Sequence, residues 1–117
     1  APPMTDFSIE TQELKRCVLI TLHGRIDSSK APLIEAAINQ MIEAGHFRFV
    51  IDLDKVEFIS SAFLRVLISG SKTVRRFNRG DIYLAAMPAR IRDVFELAGL
   101  LPLFKVFDTQ VEAVGSW

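Results

Sequence analysis

The sequence is poor in cysteine and histidine and has no long run of apolar residues. Its single cysteine, Cys17, excludes a disulfide within the chain. Together with the absence of a secretory signal peptide, this predicts a cytoplasmic protein. The two histidines, His23 and His46, lack the spacing of metal ligands, so we expect no metal site. No apolar run approaches the ~20 residues that cross a bilayer, so we expect no membrane insertion.

Charge of neither sign is in excess, because 14 lysines and arginines balance 14 aspartates and glutamates. A nucleic-acid-binding surface needs an excess of basic residues to neutralise phosphates, so we expect no nucleic-acid partner. Half of the 117 residues are hydrophobic, enough for one compact domain over residues 1–117 with a buried core. Ala1, Pro2 and Pro3 precede Met4, and we expect the natural chain to begin at Met4 with residues 1–3 as an addition.

Hydrophobic periodicity predicts a chain in which strands and helices alternate. The predicted strands cover residues 7–9, 17–26, 47–53, 81–86 and 103–107, and Gly24 predicts either a bulge or a close backbone approach in the second of them. The predicted helices run from 28–32 to Gly45, from the serines at 60–61 to about 74, from Pro88 to Gly99, and from Asp108 or Thr109 to about 114, with a turn at 78–80. The order β-β-α-β-α-β-α-β-α predicts an α/β fold, a mixed and largely parallel β-sheet with helices packed on it.

A pair of serines, Ser60 and Ser61, follows a short apolar run at 56–59 and precedes an amphipathic helix. The first N–H groups of a helix lack intrahelical partners, and the helix dipole is positive there, so a phosphate on either hydroxyl would be tolerated. A simpler interpretation is that a serine caps the helix through its side-chain oxygen. No histidine is spaced to activate either hydroxyl, so we do not expect a serine hydrolase. We expect no catalytic residue, no cofactor and no enzyme activity.

Two acidic residues, Asp52 and Asp54, lie two positions apart at the end of the third predicted strand. Carboxylates there could hold a metal or act on a bound phosphoester. Acidic residues at strand ends more often cap the next turn, and no glycine-rich phosphate loop accompanies this pair. We therefore expect both residues to shape an acidic turn between the strand at 47–53 and the apolar run at 56–59.

Four segments in this order and at these separations resemble the STAS domain, the fold of bacterial anti-sigma factor antagonists. The segments are residues 22–27 (LHGRID), 49–53 (FVIDL), 56–62 (VEFISSA), and 98–100 with 104–107 (AGL and FKVF). The resemblance implies a regulatory binding module. In the family, an anti-sigma factor that is a serine kinase phosphorylates a serine at the start of the second helix. The unphosphorylated antagonist binds that kinase and frees a sigma factor, and a PP2C-type phosphatase resets the switch.

The family pattern at the second helix is Asp-Ser-Ser/Thr/Ala-Gly-Leu, and this sequence departs from it. Ser60 stands in the place of the aspartate, while Ser61 matches the first serine. Ala62 stands where a second hydroxyl residue is common, Phe63 replaces the glycine, and Leu64 matches the leucine. The resemblance therefore makes Ser61 the first candidate for phosphorylation and Ser60 the second.

The partner-binding surface is expected around these serines. Phe63 could pack into the core or lie partly exposed beside the serines, and we expect the exposed arrangement. Asp27 precedes the first helix on the neighbouring strand, and Arg65 lies about one turn after the serines. The predicted contact residues are Asp27, Ser60, Ser61, Ala62, Phe63 and Arg65. The alternative function is a non-phosphorylated STAS scaffold subunit of a constitutive signalling or lipid-transport complex, which Ala62 and Phe63 favour.

Overall fold

The element order of the chain is the predicted one. The computed structural model describes residues 7–77 and 79–117, so residues 1–3, Met4 and Asn78 of the predicted turn lie outside the described residues. The elements are β1 (Ser8–Glu13), β2 (Val18–Ile26), α1 (Ala31–Glu43), β3 (Arg48–Ile59), α2 (Ser61–Val74), β4 (Asp81–Ala85), α3 (Ala89–Leu97), a 3-10 turn (Leu101–Leu103), β5 (Lys105–Phe107) and α4 (Gln110–Gly115). This confirms the predicted α/β class.

The strands form a sheet in the order β1-β2-β3-β4-β5. β1 pairs antiparallel with β2, and the other neighbouring strands pair in parallel. Consequently β2, β3 and β4 all end at one edge of the sheet, after Ile26, Ile59 and Ala85. We call this the carboxyl edge and the opposite one, where the same strands begin, the amino edge. Loops and helix starts at the carboxyl edge are the usual location of functional residues in such sheets.

Helices cover the two faces of the sheet unequally. α1, α2 and α3 contribute buried side chains to one apolar cluster on one face, together with the inward residues of all three central strands. α4 covers part of the other face through Ala113, which packs with Leu19, Val50 and Tyr83. There the indole of Trp117 stacks on the Tyr83 ring at a centroid distance of 4.0 Å. The long parallel crossovers thus lie on one face, as right-handed connections require.

The predicted acidic turn at Asp52 and Asp54 is wrong, because β3 continues without a break from Arg48 to Ile59. Two irregularities in its pairing with β2 each place an extra residue in β3, between Thr21–Asp52 and His23–Lys55 and again between Gly24–Val56 and Arg25–Phe58. Gly24 has a φ of 86°, in the region that favours glycine, so the bulge predicted at this residue is confirmed. The extra residues let Val56 and Ile59, three positions apart, both face the core.

Smaller differences concern the ends of elements. β1 extends to Glu13 rather than ending at residue 9, because its whole length pairs with β2. β5 is shorter than predicted, since Leu101–Leu103 form a 3-10 turn. Thr109, not Asp108, caps α4, and its hydroxyl oxygen accepts the Glu112 N–H at 3.1 Å.

Candidate functional site

Ser60 is the cap of α2. Its backbone is extended, with φ −105° and ψ 165°, and its Oγ accepts a hydrogen bond from the Phe63 N–H at 3.3 Å. This bond satisfies one of the N–H groups that a helix leaves unpaired at its start, and such caps contribute about 1 kcal/mol. The simpler interpretation of the serine pair, a helix cap, therefore applies to Ser60.

Ser61 has a different environment from its neighbour. It is the first residue of α2 and is exposed. Within the described residues, no hydrogen bond engages the Ser61 hydroxyl. The first turn of α2 carries no acidic residue, so no side chain of this turn compensates the positive end of the helix dipole. The Ser61 hydroxyl is therefore exposed and takes no part in the helix cap.

Asp27 lies beside this helix start. Ile26 pairs with Ile59, so Asp27 and Ser60 leave adjacent parallel strands at the carboxyl edge. The Asp27 Oδ1 accepts the Ser29 hydroxyl at 2.6 Å and the Ser29 N–H at 3.0 Å. The hydroxyl bond is the main cause that lowers the pKa of Asp27, with smaller help from backbone N–H groups and the Lys30 charge. Asp27 is therefore an exposed, ionised carboxylate at neutral pH.

The expectation that the Phe63 side chain is partly exposed is wrong. Its side chain is 0% exposed and belongs to the main apolar cluster. Phe63 and Leu67 are four positions apart and so share a helix face, and both are buried. Phe63 fills the core at a position where the family pattern has glycine, and it offers no surface to a partner.

An exposed aromatic does precede the serines, but it is Phe58, which belongs to the short apolar run at 56–59. Phe58 is 38% exposed, and the Arg25 guanidinium carbon lies 4.5 Å from its ring centroid. The second bulge in β3 turns Phe58 away from the core face that Val56 and Ile59 occupy. Gly24 is the one sequence signal of that bulge, and alternation alone would have placed Val56 and Phe58 on the same face.

The other two acidic candidates, Asp52 and Asp54, have polar partners of their own. Asp52 accepts the Asp54 N–H at 2.9 Å and the Gln110 amide of α4 at 2.8 Å. Asp54 forms an ion pair with Lys55 at 3.5 Å. Across residues 7–77 and 79–117, no group of three or more histidine, cysteine or acidic side chains is placed to hold a metal. In the same residues, no helix combines the length and the apolar character needed to cross a membrane.

Comparison with known protein families identifies the family of this chain. A family model of the STAS domain matches residues 8–113. The chain belongs to the STAS domain family. It is also similar to BtrV of Bordetella bronchiseptica, a protein assigned as an anti-sigma factor antagonist, with 31% identity over 100 residues that cover 86% of this chain and 85% of that one. This STAS domain is therefore of the anti-sigma factor antagonist-like type.

Solved structures share the fold of this STAS domain. An anti-sigma factor antagonist from Mycobacterium paratuberculosis superposes with a TM-score of 0.86 at 22% identity, covering 99% of this chain and 97% of the other. SpoIIAA in its unphosphorylated form gives a TM-score of 0.81 at 21% identity, covering 92% and 93%. SpoIIAA of Bacillus in its phosphorylated form gives 0.73 at 22% identity, covering 95% and 98%. At these identities the likeness concerns the fold.

The carboxyl edge of this STAS domain brings most of the predicted site residues together. Asp27, Ser60 and Ser61 lie where β2 and β3 end, Ala62 is half-buried in the first turn of α2, and Arg65 is exposed one turn later. Of the predicted contacts, Phe63 alone is buried below this surface. The roles of the other five in phosphorylation and partner binding stay predictions.

Proposed function

We propose that this STAS domain is an anti-sigma factor antagonist switched by phosphorylation of Ser61. Its carboxyl edge binds an anti-sigma factor that is also a serine kinase, and it acts by binding rather than by catalysis. A PP2C-type phosphatase restores the unphosphorylated form in the cytoplasm. The observation that carries the proposal is the division of roles at the start of α2, where Ser60 caps the helix while the Ser61 hydroxyl is exposed.

The electrostatics of this edge suit a phosphate-controlled contact. A phosphate adds a charge of about −1.5 to −2, which the positive end of α2 tolerates without a change of fold. The same charge would lie beside the ionised Asp27, on a surface that must lose water when a partner binds. A penalty of ~2–4 kcal/mol for this desolvation and repulsion would weaken a complex roughly 30- to 1,000-fold.

The partner contact is proposed to use both charged and aromatic groups. Asp27 and Arg65 are exposed charges of opposite sign, so the partner face must offer a base and an acid in matching positions. Phe58 supplies the exposed aromatic contact that we had expected of Phe63. Large aromatic side chains of this kind commonly dominate the binding energy of an interface.

The relatives support this proposal. BtrV is assigned as an anti-sigma factor antagonist, and SpoIIAA has been solved in unphosphorylated and phosphorylated forms, both with this fold.

Phosphate mapping in the native cells tests the proposal. The protein is isolated after growth and stress conditions, and residues 58–65 are examined by mass spectrometry. We expect one phosphate on Ser61 in the wild type, and none in this segment of Ser61→Ala. The matched control is Ser69→Ala, which changes an exposed serine later in the same helix and should leave the phosphate in place.

Two outcomes would contradict the proposal. A phosphate that persists in this segment of Ser61→Ala would transfer the switch to Ser60. Unmodified protein under all conditions, with a partner still bound, would favour the constitutive STAS scaffold instead.

A further inference from the structure

A concave site lies at the amino edge of the sheet, at the opposite end of the strands from the serines. The hairpin turn between β1 and β2 forms one wall, and the loop between α1 and β3 forms the other. The cavity between them has a volume of about 150 Å³. The side chains that define it are Lys15, Arg16, Cys17, His46, Phe47 and Arg48.

The charge of this cavity differs from that of the chain. The formal net charge of the protein is zero, yet the lining residues include three cations, Lys15, Arg16 and Arg48, and no acidic residue. Two carboxylates lie close by, and both have basic partners: the Glu13 Oε1 lies 2.7 Å from the His46 Nε2, and Asp81, the neighbour of Arg48 on β4, forms an ion pair with Arg75 at 3.0 Å. A cleft lined by charge of one sign concentrates counter-ions, so this cavity attracts anions.

The uncharged side chains that line the cavity add no negative charge that would repel an anion. Burial raises the pKa of the Cys17 thiol, which is 5% exposed, so this group stays neutral at physiological pH. Phe47 also lines the cavity, and its ring stacks on that of Phe77 at a centroid distance of 4.6 Å. Arg48 in turn lies over the Trp117 ring, 5.7 Å from its centroid. Basic side chains therefore line the cavity, and aromatic rings pack against two of the lining residues, Phe47 and Arg48.

We propose that this cavity binds the phosphate group of a small soluble molecule. Arginine forks match phosphate oxygens in pairs and lysine adds a point charge, which makes phosphate the anion that this set of donors fits best. A cavity of ~150 Å³ has room for a molecule of about the size of benzene, that is, for a phosphate or pyrophosphate group with few further atoms. The site is separate from Ser61, so it does not depend on the proposed regulatory function.

Titration with inorganic pyrophosphate, followed by amide NMR spectra at low ionic strength, tests the proposal. We expect saturable shifts confined to residues 14–17 and 45–48. The variant Lys15→Gln/Arg16→Gln changes two exposed residues of the hairpin turn and should bind about tenfold more weakly. The control variant Arg90→Gln/Arg92→Gln removes two exposed charges from α3 and should bind like the wild type.

Three results would overturn the proposal. Shifts that do not saturate, or that spread over basic residues throughout the chain, would mean non-specific attraction. Equal weakening in the Arg90→Gln/Arg92→Gln control would mean the same. Absence of pyrophosphate binding, together with flotation on vesicles of phosphatidic acid and phosphatidylcholine that Lys15→Gln/Arg16→Gln abolishes, would assign the cavity to a lipid headgroup instead of a soluble molecule.

Discussion

Truncation of Phe63 tests whether this side chain stabilises the core or contacts a partner at the surface. The Phe63 ring is 0% exposed in the main apolar cluster. Replacement of a buried phenylalanine by alanine removes its burial and leaves a cavity, at a typical cost of about 3–5 kcal/mol. Because small domains are stable by only about 5–15 kcal/mol, Phe63→Ala should lower the unfolding midpoint in urea substantially.

The matched variant is Phe58→Ala, which truncates the same type of side chain where it is 38% exposed. We expect it to cost about 1 kcal/mol of stability, including the contact with Arg25. Binding to the partner kinase should show the opposite order, with Phe58→Ala about 5- to 30-fold weaker and folded Phe63→Ala close to wild type. Equal stability losses in the two variants, or a loss below ~1 kcal/mol for Phe63→Ala, would refute the assignment of Phe63 to the core.

Three further results are expected. Ser60→Ala should lose about 1 kcal/mol with its cap bond, and Ser61→Ala less than ~0.5 kcal/mol, in urea unfolding; equal losses would contradict the division of roles. Arg75→Gln should lose about 1 kcal/mol, read as a lower Tm, because this half-exposed side chain joins α2 to a β4 carboxylate and to the 3-10 turn; an unchanged Tm would contradict this. The pKa of Asp27, measured by NMR, should lie below its ordinary value and should rise in Ser29→Ala. Because the folded-state pKa is lowered, the stability that Asp27 contributes is fully present above the unfolded-state pKa of about 3.9. That contribution is lost as the pH falls through the lowered folded-state pKa. An Asp27 pKa that Ser29→Ala leaves unchanged would contradict the assigned cause.

Local patterns were enough to predict the element order and the start of α2. Apolar runs separated by helical periodicity mark β2, α1 and α2, and a serine before an amphipathic helix marks the cap that Ser60 forms. Gly24 predicted the bulge, because its conformation is one that other residues seldom adopt. These features depend on residues close together in the chain.

The features that were missed depend on partners distant in the chain. The segment from Asp52 to Lys55 reads as an acidic turn, but pairing with β2 holds it in β3. The same pairing turns Phe58 outward, and packing on the sheet turns Phe63 inward. The apolar residues around the two phenylalanines form similar local patterns, which do not distinguish these orientations. The basic cavity combines the segments 14–17 and 45–48, which the fold alone brings together.

The central claim is that a phosphate on Ser61 controls binding at the carboxyl edge. The most direct measurement is calorimetric titration of the anti-sigma factor kinase with this STAS domain, unmodified and stoichiometrically phosphorylated at Ser61. We predict that the phosphorylated form binds roughly 30-fold or more weakly, with an unchanged fold by circular dichroism. Equal affinity of the two forms would contradict the account.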